Sequence, residues 1–444
     1  MSDYMFMLES HLRPEQYQAL LQVQAAAEHA NLNVFLSGGA LRDMLGGFPI
    51  RDVDFTVEGN PAPIVKNLVK KDGAKVVHEN ALRKSWTLQF PSGVVSEIGM
   101  AHEAHYAKPA SKPVVKPATI HEDLRGRDFT INAIALSLNR SSRGLLIDPT
   151  NGQGDLMHRE IRTTGNYSLY DDPVRIIRML RLKIRMGFEI SERTRMQYEN
   201  VREARLEQKI TPAQLYRELR AMADEPNPGL LIETLDQEKL LTLFSPAFTG
   251  AKINLAGFAK LLKLRQMIPF GIEFKTNNLG LFLHILTEKF SPKERNAFIK
   301  NLGIPKADQD QWLKLGQRAK KLETQLKSSK LNRASLVYKL LLEAAGDEIL
   351  YLLYHSEQRL VQDRLKKHLT QYLPGVLEIT DKEVAAWSKL DPGSPKFAKA
   401  REDYILGRLD GRIRKPVPEP VPEPPPPPAG RGALRQPHAA RAVR

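Results

Sequence analysis

Two carboxylates one residue apart are the residues of this chain best suited to chemistry. Asp52 and Asp54 flank the start of an apolar run, 53–57. Alternate side chains of a strand share a face, so both carboxylates are predicted to point the same way. Like charges held side by side repel each other, and a bound hard cation relieves that repulsion. The spacing predicts a divalent-metal site, although exposed acids at a strand edge give the same pattern.

A glycine pair precedes these aspartates and suggests that a phosphate group binds beside the metal. Gly38 and Gly39 end the apolar run 33–36, and Arg42 follows three residues later. Glycine lets backbone N–H groups approach an anion closely, and a guanidinium offers a planar fork of donors to phosphate. A glycine pair alone is common in ordinary turns. Together with Asp52 and Asp54, it predicts a metal-dependent nucleotide site.

A third carboxylate lies in the next strand-like run, 94–98. Glu97 is a candidate to help hold two Mg²⁺ ions or to accept the proton of an attacking hydroxyl. A solvated strand residue is an equally good interpretation of Glu97.

A charged segment followed by an apolar run supplies another basic candidate. Arg127 is placed to reach a triphosphate, and Asp128 is predicted to cap a helix that packs through Ile131, Ile134 and Leu138. Capping and ligand contact are compatible in this segment.

A basic helix is predicted from Asp172, with Asp172 as N-cap and Pro173 as the first helical residue. Arg175, Arg178 and Arg181 follow at steps of three and form a slanted ladder beside an apolar stripe. Asp172 and Arg175 offer acceptors and donors that complement the edge of a nucleobase. The alternative is a capped amphipathic helix with a solvated basic face.

Composition predicts a globular, cytoplasmic protein. The chain has 444 residues, 42% of them hydrophobic, and no cysteine. It contains no run of about 18 apolar residues, so no membrane span is expected, and its N-terminus lacks the features of a signal peptide. The net charge is +15, and because four arginines and two glutamates follow residue 415, +13 belongs to the preceding residues. This charge favours a polyanionic partner such as nucleic acid.

The chain divides into four parts by pattern. Residues 1–160 mix β-rich runs with helices, residues 161–245 and 246–412 show helical periodicity, and residues 413–444 begin a proline-rich, basic stretch. We predict an α+β fold in which an α/β head precedes an all-helical neck, body and tail. The dense prolines predict a disordered C-terminus.

Five ordered motifs carry a resemblance to a known family. The chain resembles the class II tRNA nucleotidyltransferase and bacterial poly(A) polymerase family, among the polymerase-β-like nucleotidyltransferases. The matching segments are 38–43 with 52–54, 127–133, 148–156 and 172–181, and a fainter similarity continues over 210–219.

The resemblance implies a fold, a reaction and a set of roles. It implies a polymerase-β-like nucleotidyltransferase head (1–160), a neck that recognises the base and binds RNA (161–245), and a body and tail that bind tRNA (246–412). It also implies attack of the tRNA 3′-hydroxyl on the α-phosphorus of CTP or ATP, with release of pyrophosphate and without a nucleic-acid template. The implied roles are Mg²⁺ binding by Asp52 and Asp54, nucleotide binding by Gly38, Gly39, Arg42 and Arg127, base templating by Asp172 and Arg175, and completion of the nucleotide pocket by Arg178 and Arg181.

Three departures from the family pattern bear on the product. Asp171 stands where the family has Glu, Gly126 replaces one of two arginines, and Met100-Ala-His102 replaces a Thr-x-Arg element. We predict addition of the complete CCA end. The alternatives are A-addition, CC-addition, poly(A) synthesis, or a non-catalytic RNA-binding protein, against which the intact Asp52, Asp54 and Arg175 argue. The sequence leaves the oligomeric state open.

Overall fold

The computed structural model describes residues 3–272 and 274–414. Eleven strands are assigned within these residues. They are β1 (Asn33–Ser37), β2 (Asp54–Glu58), β3 (Lys75–Asn80), β4 (Ser85–Gln89), β5 (Val95–Met100), β6 (His102–His105), β7 (Val114–Pro117), β8 (Ala135–Ser137), β9 (Leu146–Ile147), β10 (Glu160–Ile161) and β11 (Glu189–Ile190).

Helices occupy the N-terminus, the connections of the sheet and nearly all of the described chain after residue 190. Short 3₁₀ turns and one π-turn join several of them. The α-helices are α1 (Asp3–His11), α2 (Pro14–Ala30), α3 (Gly39–Leu45), α4 (Ala62–Lys71), α5 (Ile120–Arg125), α6 (Gly152–His158), α7 (Ser168–Asp171), α8 (Arg175–Met186), α9 (Glu192–Glu203), α10 (Pro212–Ala223), α11 (Pro228–Gln237), α12 (Leu255–Arg265), α13 (Asn278–Leu286), α14 (Pro292–Leu302), α15 (Lys306–Leu313), α16 (Leu315–Leu326), α17 (Ala334–Glu343), α18 (Gly346–His355), α19 (Arg359–Lys367), α20 (Leu373–Leu377), α21 (Asp381–Ser388) and α22 (Phe397–Leu409).

A seven-stranded sheet forms the centre of the N-terminal part. Its strand order is β3-β4-β5-β2-β1-β8-β9, and every pair is antiparallel except β2 with β5. Strands β6 and β7 form a separate antiparallel hairpin. The adjacent β1 and β2 therefore bring the glycine turn and the aspartates to the same edge.

The two faces of this sheet pack differently. Val34 and Leu36 of β1 and Phe55 of β2 enter the main hydrophobic core, which continues through the helices as far as Ile405. Phe35 points to the other face and joins a small cluster that includes Leu124 of α5. Because strand side chains alternate, Ser37, Asp54 and Thr56 lie on this second face.

Strand β2 begins one residue later than predicted, so Asp54 is its first residue and Asp52 lies before it. Ser37, the last residue of β1, pairs with Asp54, the first residue of β2. The chain turns at Gly38, whose φ is +74°, so β1 provides no ladder partner for Asp52. Asp52 precedes the assigned strand, so the shared direction of the two carboxylates stays a prediction, and the charge of Asp52 still acts on Asp54.

The prediction of a helix after Asp128 is wrong. Residues Thr130–Asn132 form one 3₁₀ turn, and the chain then enters β8. Leu136 of β8 pairs with Leu36 of β1. Because both a helix and a buried strand fit a short apolar run, tertiary pairing with β1 decided the outcome.

Helix α8 starts at Arg175 rather than at Pro173. Val174 occupies the N-cap position, and Asp172 has φ −137° and ψ 86°. The side chain of Asp172 accepts a hydrogen bond from Gln214 instead of capping α8. Asp172 therefore lies two residues before the N-cap of α8.

The predicted α+β class, with a mixed head and a helical remainder, is confirmed. The boundaries at 160, 245 and 412 stay predictions. All but the first two residues of the predicted disordered segment 413–444 lie outside the described residues. Within the described part of the chain, no helix is both long and apolar enough to cross a membrane.

Candidate active site

A cleft of about 700 Å³ lies between the sheet, the β6–β7 hairpin and the segments that begin α8 and α10. Nine of the eleven site residues predicted from sequence line it. They are Gly38, Gly39, Arg42, Asp54, Glu97, Arg127, Asp172, Arg175 and Arg178. The structure thus brings together segments separated by more than 130 residues of chain.

Asp54 and Glu97 meet at the parallel pairing of β2 and β5. Phe55 pairs with Ile98, and the Glu97 N–H donates to Asp54 Oδ1 at 2.8 Å. Burial raises the pKa of Asp54 to about 7, and the negative charges of Asp52 and Glu97 act in the same direction against the Glu97 amide and Arg127. A nearby cation would remove this repulsion, so the electrostatics of Asp54 suit a metal ligand.

Asp52 lies near this pair but outside the lining of the cleft. Its side chain is exposed, although the surrounding protein restricts its hydration enough to raise its pKa. The positive charges of Arg51 and Arg185 oppose that rise. Asp52 and Asp54 together offer the hard oxygen donors that Mg²⁺ prefers.

Arg127 packs against the glycine turn and stabilises it through hydrogen bonds to the neighbouring strands. Its Nη2 donates to Ser37 Oγ (3.0 Å) and Thr56 Oγ1 (2.9 Å), and its Nε donates to Asp123 Oδ2 at 3.0 Å. A Cβ atom added at Gly38 would lie 3.0 Å from Arg127 Nη1. The close guanidinium and the positive φ together explain why glycine suits position 38.

A chain of hydrogen bonds joins the glycine turn to α8. Arg42 Nη1 donates to Asn132 Oδ1 at 2.7 Å, and Asn132 Nδ2 donates to Asp128 Oδ1 at 2.9 Å. Arg178 Nη1 then donates to Asp128 Oδ2 at 2.7 Å. Although Asp128 is buried, the charges of Arg178 and Arg175 and these hydrogen bonds hold its pKa well below its usual range.

Arg181 lies in a different environment from the other predicted arginines. Its Nε pairs with Glu218 Oε2 (3.2 Å) and its Nη1 with Glu225 Oε1 (2.8 Å), and it is absent from the cleft lining. Arg178 shares Glu218 through a 2.9 Å ion pair while still reaching the cleft. The predicted role of Arg181 in completing the pocket therefore has no geometric support, because its donors face buried carboxylates.

Asp172 and Arg175 lie together at the helical end of the cleft. Arg175 is buried, and its guanidinium donates to the carbonyl oxygens of Ser168 and Gly126, each at 3.3 Å. Gln214 Nε2 donates to Asp172 Oδ1 at 2.9 Å, and both residues line the cleft. Both side chains are thus fixed in orientation while they line the cleft.

Sequence reasoning missed several residues of this cleft. Gln214 belongs to a capping box with Thr211 at the start of α10, a pattern visible in the sequence. Its contact with Asp172, 42 residues away, is not visible there. Tyr106, which follows β6, lines the cleft and had no signal in the sequence.

Residues 34–162 match the poly(A) polymerase head domain. This match shows that the N-terminal part, which contains most of the cleft, is similar to a poly(A) polymerase head domain. The resemblance of the chain to the class II tRNA nucleotidyltransferase and poly(A) polymerase family is confirmed.

Two curated relatives and one solved structure illustrate the similarity. The A-adding tRNA nucleotidyltransferase of Aquifex aeolicus is 29% identical over 343 residues, 76% of this chain and 40% of that protein. The CC-adding tRNA nucleotidyltransferase of Deinococcus radiodurans is 35% identical over 201 residues, 45% of this chain and 52% of that protein. The match therefore spans about half or less of each relative.

The structure of a CCA-adding enzyme in its apo form II has the same fold. The TM-score is 0.53 at 24% sequence identity, over 93% of this chain and 96% of that chain. At this identity the likeness establishes the fold alone.

Proposed function

We propose that this protein is a tRNA nucleotidyltransferase that adds CCA to the tRNA 3′ end from CTP and ATP. The observation that carries the proposal is the single cleft that unites Asp54, the glycine turn and the Asp172–Arg175 pair. A metal site, a phosphate cradle and a reader of base edges are the three parts that such a reaction requires. The A-adding and CC-adding relatives support the choice of nucleotides.

Mg²⁺ is the metal for which the donor set is suited, and Asp52 and Asp54 would hold it. The raised pKa of Asp54 reflects burial and crowding by negative charge, which a divalent cation would relieve. The chemistry that Mg²⁺ supplies in such a site is charge neutralisation at the phosphate and activation of the attacking hydroxyl. Glu97, beside Asp54, is the proposed acceptor of the hydroxyl proton.

The glycine turn and Arg42 would bind the triphosphate. The Nε of Arg42 donates to Asp43, its Nη2 lies 2.8 Å from the same Asp43 oxygen, and its Nη1 donates one proton to Asn132, whereas a guanidinium has five N–H donors in all. Donors therefore remain for phosphate oxygens. The RNA 3′-oxygen would form a bond to the α-phosphorus as the bond to the β-phosphate oxygen breaks, and pyrophosphate leaves with that electron pair.

Asp172 and Arg175 would select the base in place of a nucleic-acid template. A carboxylate accepts from the exocyclic amino group that cytosine and adenine share, and a guanidinium donates to ring nitrogen or carbonyl acceptors. Gln214 uses one oxygen of Asp172, so the other oxygen is the proposed acceptor of the amino proton. The +13 charge of the first 415 residues supports binding of the tRNA backbone.

A-addition alone is the second candidate output, because an A-adding enzyme is among the relatives. The test uses purified protein, Mg²⁺, labelled CTP or ATP, and tRNAs that end before the CCA triplet, after CC and after CCA. Incorporation of both nucleotides that stops at CCA is the expected result. Incorporation of AMP only on tRNA ending in CC would establish A-addition, and long A tracts on unstructured RNA would contradict both.

Asp54→Ala is the catalytic control for this assay. It should abolish incorporation while the far-ultraviolet circular dichroism spectrum stays unchanged. Persistent turnover in the variant would refute the assignment of Asp54 as a metal ligand.

A further inference from the structure

A cluster of metal-binding side chains lies in the helical part, among residues that the proposed reaction does not use. His284 is near the end of α13, Glu288 follows two residues after that helix, and His355 ends α18. One donor atom from each lies within 4.8 Å of the other two. Among residues 3–272 and 274–414, no other group of three or more His, Asp or Glu side chains has its donor atoms this close together.

We infer that His284, Glu288 and His355 form a binding site for a divalent first-row transition metal of the Zn²⁺ type. Two imidazoles and one carboxylate are the donors that Zn²⁺ takes in three-ligand protein sites, which leave a fourth position for water or another ligand. Mg²⁺ and Ca²⁺ prefer oxygen donors throughout. The donor set therefore selects a metal different from the one proposed for Asp52 and Asp54.

The imidazoles already face each other through the nitrogens that would bind the metal. His284 Nε2 lies 2.7 Å from His355 Nε2, so without a metal one ring donates its proton to the other. Two nitrogens bound to one tetrahedral Zn²⁺ at ~2.0–2.1 Å lie roughly 3.3 Å apart. A small rotation of either ring makes that room, and a metal then replaces the shared proton.

Glu288 is oriented for ligation by neighbours of the cluster. Tyr354 Oη donates to Glu288 Oε2 at 2.9 Å, and Asn254 Nδ2 donates to the same oxygen. The other oxygen, Oε1, lies 3.8 Å from His355 Nε2. Such outer hydrogen bonds fix one carboxylate oxygen and leave the other for the metal.

The surroundings of the cluster include both aromatic rings and positive charge. The ring of Tyr351 lies 4.9 Å from that of His284 and 4.5 Å from that of His355, measured between centroids. Lys260 and Arg295 are the nearby cations, and Lys260 donates to the Tyr354 carbonyl oxygen and lies 4.7 Å from its ring centroid. One carboxylate and two imidazoles give the site a charge of −1, which a divalent cation reverses to +1.

Cobalt(II) absorption provides the test on the full-length chain after treatment with a chelator. Four-coordinate Co²⁺ with imidazole ligands absorbs strongly in the visible range, whereas six-coordinate Co²⁺ on carboxylates absorbs weakly. We expect one equivalent of strongly absorbing Co²⁺ that Zn²⁺ displaces. Asp54→Ala and the surface control His121→Gln should both keep this signal, and His284→Gln with His355→Gln should remove it.

Tyr354→Phe supplies a milder variant that tests the same site. Loss of its hydroxyl should weaken Co²⁺ affinity by about tenfold, the usual effect of removing such an outer partner. X-ray absorption of the Zn²⁺-loaded wild type should give two imidazole nitrogens at about 2.0–2.1 Å. An oxygen-only shell, or a strong Co²⁺ signal that survives the double histidine change, would overturn the inference.

Discussion

At the scale of single residues, Asp54 is held in a position that disfavours its own charge. Burial, Asp52 and Glu97 raise its pKa to about 7, and its unfolded-state value is about 3.9. The native state therefore binds the proton more tightly than the unfolded state does. The contribution of Asp54 to stability is greatest at low pH and is lost as the pH rises through about 7.

Asp54→Asn should accordingly stabilise the protein in the presence of a chelator. At pH 8 the variant should exceed the wild type by about 1–4 kcal/mol in free energy of unfolding, since each unit of pKa shift corresponds to ~1.4 kcal/mol. The difference should shrink toward pH 4, and Mg²⁺ should reduce it by stabilising only the wild type. Urea unfolding measures this, with Glu233→Gln on α11 as the control for loss of one exposed carboxylate.

Gln214 is a positioning residue in the proposed base reader. Its amide oxygen accepts from the Thr211 N–H and hydroxyl, and its Nε2 donates to Asp172. Gln214→Leu removes both contacts, so we expect the preference for CTP and ATP over UTP and GTP to fall by about tenfold, a typical effect of one lost polar contact.

Competition assays with all four nucleotides measure this prediction. Gln214→Glu keeps the acceptor toward Thr211 but removes the donor to Asp172, so it separates the two contacts. An equal loss of incorporation for all four nucleotides, without a change in preference, would contradict the positioning role.

At the scale of elements, α8 is attached to the head through Asp128. Asp128 accepts from Arg178 of α8, from Asn132 and from the Phe129 N–H, while Arg178 also pairs with Glu218 of α10. Three segments thus depend on one buried carboxylate. Because its pKa is lowered in the folded state, its stabilising effect is present at neutral pH and is lost as the pH falls below about 4.

Asp128→Asn should destabilise the protein by about 1–3 kcal/mol at pH 7, because the half-buried Arg178 loses one of its two charged partners. The deficit should become smaller only as the pH falls below about 4, because the unfolded wild type then binds a proton that the native state does not, and the advantage of its ionised carboxylate is lost. Urea unfolding between pH 2 and 7 measures this. A deficit that is constant down to pH 2 would show that charge at position 128 does not stabilise the fold.

The observed strands show which elements local sequence patterns can predict. The runs at 33–36 and 53–57 predicted β1 and β2 within one residue at each end, because a short apolar run and an alternating one are both typical of strands. The run after Asp128 has a period compatible with helix or strand. It became β8 because the free edge of β1 required a hydrogen-bonding partner.

At the scale of the whole molecule, positive charge is distributed along the chain before the proline-rich segment. Residues 416–444 account for +2 of the net +15. Their removal should therefore change tRNA affinity and nucleotide incorporation by no more than about twofold, because phosphate contacts made by the other residues dominate binding. Filter binding over a range of salt concentrations tests this, and a much shallower salt dependence after truncation would contradict it.

The sequence by itself determined the chemical types present and their approximate elements. Asp54 with Glu97, Gly38 with Arg42, and Asp172 with Arg175 were all candidates before any fold was known, because the spacing of charged and glycine residues restricts local geometry. The resemblance in motif order supplied their grouping. The roles themselves stay predictions until the assays above are done.

Only the tertiary structure decided which of these side chains share one cleft. It placed Asp52 before β2, directed Arg181 to Glu218 and Glu225, and set Gln214 against Asp172. It also placed His284 of α13 in contact with His355 of α18. The contacts of Arg181, Gln214 and His284 join residues about 40 to 70 positions apart, and local periodicity carries no information about such distant packing.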